Sequence, residues 1–163
     1  MNATKPQAQH APLCLLLSDE DATQALAETI AQAAKPGDCI LLRGDLGAGK
    51  TAFAKGFIRS LLKDADVTSP TFNLVQTYET PSATVWHFDL YRLKSPAELP
   101  EIGLEEALEK GITLVEWPDI AENYWPENAL TIELAIGEAA ERRAILTGAN
   151  RWQPVLMSLT ITG

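Results

Sequence analysis

The 163-residue sequence predicts an α/β fold, with a sheet parallel at its core and antiparallel at its edges and helices on both faces. Three observations carry that expectation. An apolar run at 39–43 passes straight into Gly44, Asp45, Leu46, Gly47, Ala48, Gly49, Lys50 and Thr51, which satisfies G-x-x-x-x-G-K-[ST] at every fixed position. The continuous apolar run 111–116 suits a central strand buried on both faces. Two pairs of β-type runs are joined by short turns, as antiparallel hairpins are. A strand, a glycine-rich loop and a helix in that order make this a P-loop NTPase-like sheet.

Each element has its own signal. Residues 1–12 are rich in Gln, Ala and Pro and are expected to form a disordered tail, leaving 13–163 as a single P-loop domain. The run 13–17 reads as a first strand. Ser18 is placed as a helix N-cap, with Asp21 three residues on and further acids in the first turn. That helix is expected to bury Leu26 and Ile30, to run to about Ala34 and to stop at Lys35-Pro36-Gly37. Strand 39–43, the loop and a helix to about Lys63 follow, with Phe53, Phe57 and Leu61 on one face. Runs 72–79 and 84–90 form a hairpin about Pro81-Ser82. Residues 96–110, interrupted by Gly103, hold one or two short helices before strand 111–116. Runs 129–136 and 143–147 make a second hairpin around Gly137.

Bulk properties bound the function. With 46% apolar and 21% charged residues the chain is that of a soluble globular protein. A net charge of −9 disfavours a broad basic surface for bare DNA or RNA. Cys14 and Cys39 both lie in apolar runs, so two buried structural thiols in a reducing compartment are expected. The run 13–17 is far too short to span a membrane and follows no charged leader, which places the chain in the cytoplasm with no membrane partner.

The phosphate loop assigns chemistry to its residues. Gly44, Gly47 and Gly49 let backbone N–H groups approach phosphate oxygens. Lys50 supplies a charge for the β and γ phosphates, and the Thr51 hydroxyl suits a Mg²⁺ ligand. The helix that follows points its positive end at the same anion. Asp89 ends a β run, where open α/β sheets deliver ligands to their crevice. His87, two residues earlier, shares its face and is either part of the site or a hydrogen-bonded structural histidine. Glu116 closes the apolar strand and either binds Mg²⁺, directly or through water, or orients an attacking water. Thr68-Ser69-Pro70-Thr71-Phe72 lies where a switch segment reaches a γ-phosphate. Lys55, Arg59 and Lys63 form a basic stripe, either a solvated face or a docking face. Trp117, Trp125 and Trp152 are assigned to packing.

Gly-Asp-Leu-Gly-Ala-Gly-Lys-Thr at 44–51, Thr-Ser-Pro-Thr-Phe at 68–72, His-Phe-Asp-Leu-Tyr-Arg at 87–92 and Val-Glu-Trp-Pro at 115–118 occur in one order. Together they resemble the TsaE (YjeE) family of small bacterial P-loop ATPases, from about Ser18 to about Arg143. The resemblance implies weak Mg²⁺-dependent ATP hydrolysis that serves N6-threonylcarbamoyladenosine formation at position 37 of tRNA. The implied partners are TsaB and TsaD, which transfer the group made by TsaC and through which tRNA is met indirectly. It also implies that Lys50 holds the phosphates, that Thr51, Asp89 and Glu116 hold Mg²⁺, and that Ser69 and Thr71 form the switch. Glu20, in Asp-Glu-Asp-Ala-Thr, and Arg142 match family positions near the nucleotide, whereas Phe72 stands where Tyr is common. Past residue 143 nothing is carried over.

Two alternatives are kept. A stand-alone P-loop small-molecule kinase would want a basic lid, but 96–110 is acidic. A GTPase would want an Asn-Lys-x-Asp motif, which the sequence lacks.

Overall fold

The computed structural model describes residues 11–70 and 73–162. The tail expected at 1–12 falls almost wholly outside the described residues, as do Thr71 and Phe72 of the switch segment. Eleven elements build the described fold: β1 (Leu13–Leu17), α1 (Glu20–Ala33), β2 (Cys39–Arg43), α2 (Lys50–Leu61), β3 (Val75–Glu79), β4 (Thr84–Asp89), α3 (Leu104–Lys110), β5 (Ile112–Glu116), β6 (Leu130–Ile136), β7 (Arg142–Thr147) and α4 (Gln153–Thr162). Short 3-10 turns connect them, two of which, Pro96–Glu98 and Pro100–Ile102, precede α3.

The strands form one sheet in the order β1-β7-β6-β2-β5-β4-β3. Pairs β2–β5, β2–β6 and β4–β5 are parallel, while β3–β4, β6–β7 and β1–β7 are antiparallel. The expected parallel core with antiparallel edges is thus observed. Its consequence for function is geometric: β2, β4 and β5 all end at the same rim. The register sets Leu42 and Asp89 level with Glu116. Residues from three strands therefore meet beside the loop that leaves β2.

Apolar periodicity fills both faces of the sheet. Ile40, Leu42, Ile112 and Leu114 point into one cluster with Leu26 and Ile30 of α1, Phe53 and Phe57 of α2, and Trp152. Cys39, Leu41, Phe88 and Val115 point the other way, against Leu99, Leu104 and Ala107. Alternate strand residues thus feed opposite clusters, as a period of two requires. Helices α1 and α2 approach closely at Gly56, where a Cβ would sit 2.9 Å from the Gln24 Cα. Gln32 and Ser60 close the same interface with a 2.8 Å hydrogen bond.

Two expectations need correction, and one element carries no signal in the sequence. The α1 N-cap is Asp19, whose Oδ1 accepts from the Ala22 N–H at 2.8 Å, rather than Ser18. Cys14 is exposed, because β1 is an edge strand and its alternation turns Leu13, Leu15 and Leu17 inward; only Cys39 is a buried thiol. Burial pushes the Cys39 thiol up, so it stays protonated and inert. Trp152 and α4 add an element that the sequence pattern did not mark, where β-branched and apolar residues in 153–162 obscure the helical period. Among the described residues no helix is long and apolar enough to cross a membrane.

Candidate active site

The phosphate loop leaves β2 through Gly44, held at φ 141°, where a Cβ would collide with the Leu134 carbonyl oxygen. Only glycine fits there, so the loop's entry is fixed by steric exclusion. Ala48 is buried beneath the turn, and its N–H donates to the Asp45 carbonyl at 3.1 Å. Gly49 caps α2 in the left-handed region at φ 110°. Helix α2 then begins at Lys50, so its first-turn N–H groups, which lack intrahelical partners, face the loop's interior.

An open cleft of about 420 Å³ lies over this loop. It gathers Gly47, Gly49, Lys50 and Thr51 from the loop with Ser69 from the segment after α2 and Asp89 and Glu116 from the sheet rim. Glu20, Leu46 and Arg142 complete its wall. Gly44, Asp45 and Ala48 shape the loop without lining the cleft, and Thr71 lies outside the described residues. The four sequence motifs, spread from residue 44 to residue 118, therefore converge on one volume.

Charge is concentrated there. Lys50 Nζ donates to the carbonyl oxygens of Gly44 and Asp45, the latter at 2.9 Å, and lies 4.0 Å from the Trp117 ring centroid. Burial lowers its pKa, opposed by the negative charges of Glu116, Asp89 and Asp45. Glu116 is 2% exposed; its Oε1 accepts from Thr51 Oγ1 at 3.3 Å and its Oε2 faces His87 Nε2 at 2.7 Å. Asp89 accepts from the Tyr91 N–H at 3.1 Å and from Ser69 Oγ at 3.4 Å. Arg142 reaches from the start of β7 and donates to the Gly47 carbonyl at 2.5 Å, latching the loop tip to the far side of the sheet.

The donor set suits a hard cation. Thr51, Asp89 and Glu116 offer one hydroxyl and two carboxylates, all oxygen. Among the described residues no group of three or more His, Cys, Asp or Glu side chains is arranged to hold a metal alone. Mg²⁺ commonly binds through one or two carboxylates with substrate phosphates and water, and these residues fit that mode. They do not fit an all-protein cage.

Burial raises the Asp89 pKa above its ordinary value of 3.8, and the neighbouring Glu116 charge adds to this against the Tyr91 N–H. The sign follows by linkage: the folded state holds that proton more tightly, so stability falls as pH rises from below 3.8 through the folded pKa. Asp89→Asn keeps an acceptor for Tyr91 and removes the half-buried charge. It is expected to raise the Tm of the nucleotide-free protein at pH 7, with the gain vanishing when melts are repeated below pH 3.8.

Trp117 packs against the core as expected, and it also lines the cleft. It sits in the left-handed region at φ 60°, with Tyr91 4.9 Å away, centroid to centroid. A bulky residue held there costs about 1–3 kcal/mol. Thr23, Tyr91 and Arg92 also line the cleft. Tyr91 and Trp117 each follow a strand-end acid closely, the one signal by which they were findable. Trp125 donates Nε1–H to the Pro118 carbonyl at 2.9 Å, and Trp152 is fully buried, so both pack as expected. Arg59 and Lys63 line a groove with Asp21 and Glu28 of α1, which compensates the basic stripe.

Comparison with known proteins gives the family. The family model "Threonylcarbamoyl adenosine biosynthesis protein TsaE" matches residues 17–145. The chain is 43% identical over 138 residues to the tRNA threonylcarbamoyladenosine biosynthesis protein TsaE of Rickettsia felis, covering 83% of this chain and 81% of that protein. It is 37% identical over 140 residues to the protein of the same name from Bacillus subtilis, covering 85% and 87%. The crystal structure of Bacillus subtilis YdiB superposes with a TM-score of 0.77 at 31% identity, covering 96% of this chain and 99% of that one. On the matched span and these identities, the chain belongs to the TsaE family of threonylcarbamoyl adenosine biosynthesis proteins.

Proposed function

We propose that this protein binds and hydrolyses ATP with Mg²⁺ as the accessory subunit of the complex that makes N6-threonylcarbamoyladenosine at position 37 of tRNA, acting with TsaB and TsaD. The observation that carries the proposal is the meeting of Lys50, Thr51, Asp89 and Glu116 around one cleft at the phosphate loop. Lys50 and the N–H groups opening α2 would bind the triphosphate. Thr51, Asp89 and Glu116 would hold Mg²⁺, which when bound neutralises charge on the phosphates and draws the leaving oxygen's electrons. Ser69 sits against Asp89, where a switch segment would meet the metal side of the site. The acidic surface supports a division of labour in which the partners hold tRNA.

The test is turnover of ATP by the full chain alone, then with TsaB, TsaD and tRNA. Slow hydrolysis alone that rises with the partners is expected, together with co-purification that depends on ATP. No hydrolysis in any combination, with normal modified tRNA after deletion of the gene, contradicts the proposal. Phosphoryl transfer to a small metabolite instead would move the protein to the kinase class.

A further inference from the structure

We propose that His87 is a positioning residue that fixes the Glu116 carboxylate for the metal, an inference that rests on the Mg²⁺–ATP function proposed above. His87 lies on β4, one strand over from Glu116 on β5, and the parallel register places it level with Leu114. Its ring is wholly buried, and Nε2 stands 2.7 Å from Glu116 Oε2. Against a carboxylate oxygen at that distance Nε2 donates. The other oxygen, Oε1, is thereby left directed at Thr51 Oγ1, 3.3 Å away. One carboxylate thus joins β4 to the first turn of α2. Its two oxygens have separate duties: one is held by the protein, and the other faces the loop.

The second ring nitrogen distinguishes this from ordinary packing. His87 Nδ1 is buried and has no hydrogen-bond partner among the described residues. Most buried side-chain nitrogens are satisfied, since a buried polar atom without a partner destabilises the fold, and Thr113 Oγ1 is the other such atom among the described residues. An aliphatic side chain at this position would fill the space without that penalty. What His87 supplies in return is the single contact to Glu116. Partners behind a metal's own ligands fix ligand orientation in this way, and their loss weakens metal binding. The same strand carries Asp89 two residues on, so β4 delivers one carboxylate and steadies the other.

The experiment titrates Mg²⁺ against binding of a fluorescent ATP analogue to the full chain, with His87→Leu, His87→Gln and His87→Asn beside the native protein. A glutamine amide nitrogen reaches the place of Nε2 and keeps a donor for Glu116, whereas asparagine reaches only the place of Nδ1. The Mg²⁺ concentration at half-effect is expected to rise about tenfold or more in His87→Leu and His87→Asn. His87→Gln is expected to stay within about threefold of native, the residual reflecting imperfect geometry. Nucleotide affinity in EDTA should be the same in all four proteins, a readout independent of turnover. If His87→Leu does not fold, as judged by a melt, the comparison of glutamine with asparagine decides. Equal Mg²⁺ requirements in glutamine and asparagine variants overturn the proposal, as does a folded leucine variant with the native requirement. A native chain that binds no nucleotide removes the ATP function and this role together; one that binds it while the variants match native removes only the role of His87.

Discussion

Lys50→Ala is expected to abolish nucleotide-dependent activity, with a loss of at least about 100-fold in ATP turnover, the scale of removing one preorganised charge from a developing anion. The structure explains why this loss should not be one of folding. Lys50 is buried with its pKa lowered by desolvation, so its charge burdens the nucleotide-free fold. Its donors now rest on the carbonyls of Gly44 and Asp45 and over Trp117, all weaker partners than phosphate oxygens. Alanine removes those contacts and the burden together. An unchanged melting temperature with no binding of fluorescent ATP is the expected pair of readings. Retained turnover in a folded Lys50→Ala protein would separate the loop from the chemistry.

Glu116→Gln should lower hydrolysis by about 100-fold or more, because it removes a metal-side charge worth several kcal/mol to the transition state. Glutamine still offers an oxygen to His87 Nε2, so the buried pair is kept as a neutral contact. Glu116→Ala is a different experiment. It leaves His87, already without a partner at Nδ1, with neither nitrogen satisfied in a fully buried position. That variant should lose about 1–3 kcal/mol in urea denaturation in addition to its activity. The two substitutions together separate the charge from the packing: equal activity loss with unequal stability is the expected pattern. Near-native hydrolysis by Glu116→Gln would take this carboxylate out of the metal site.

Much of the site was legible because its signals are local. The phosphate loop, the helix after it and the strand before it occupy 23 consecutive positions, from Cys39 to Leu61, and each has a spacing rule. Asp89 and Glu116 were legible as acids at strand ends, and a parallel sheet brings such ends together. Relations across strands were not. The periodicity of β4 sets His87 and Asp89 on one face, but no spacing within β4 reveals that Nε2 meets a side chain 29 positions away. The second role of Trp117 was hidden for a similar reason, since no local pattern shows that its ring also lies 4.0 Å from Lys50 Nζ. In β1 the sequence Leu-Cys-Leu-Leu-Leu hides its alternation, and only its place at the sheet edge tells that Cys14 faces outward. The choice of Asp19 over Ser18 as cap lay between adjacent residues of equal aptitude. Helix α4 follows the family match, which ends at residue 145, and its Trp152 is pinned by a 3.2 Å hydrogen bond to the Asn128 carbonyl rather than by any periodic pattern.

The most direct measurement is a crystal structure of the full chain with a non-hydrolysable ATP analogue and Mg²⁺. The expected result is a triphosphate enclosed by residues 44–51, with Lys50 Nζ moved from the Gly44 and Asp45 carbonyls onto phosphate oxygens. A cation touching Thr51 and the Glu116 oxygen not held by His87 should accompany it. A nucleotide bound elsewhere, or a cation coordinated without Thr51 and Glu116, would contradict the central claim that these side chains converge to form one ATP site.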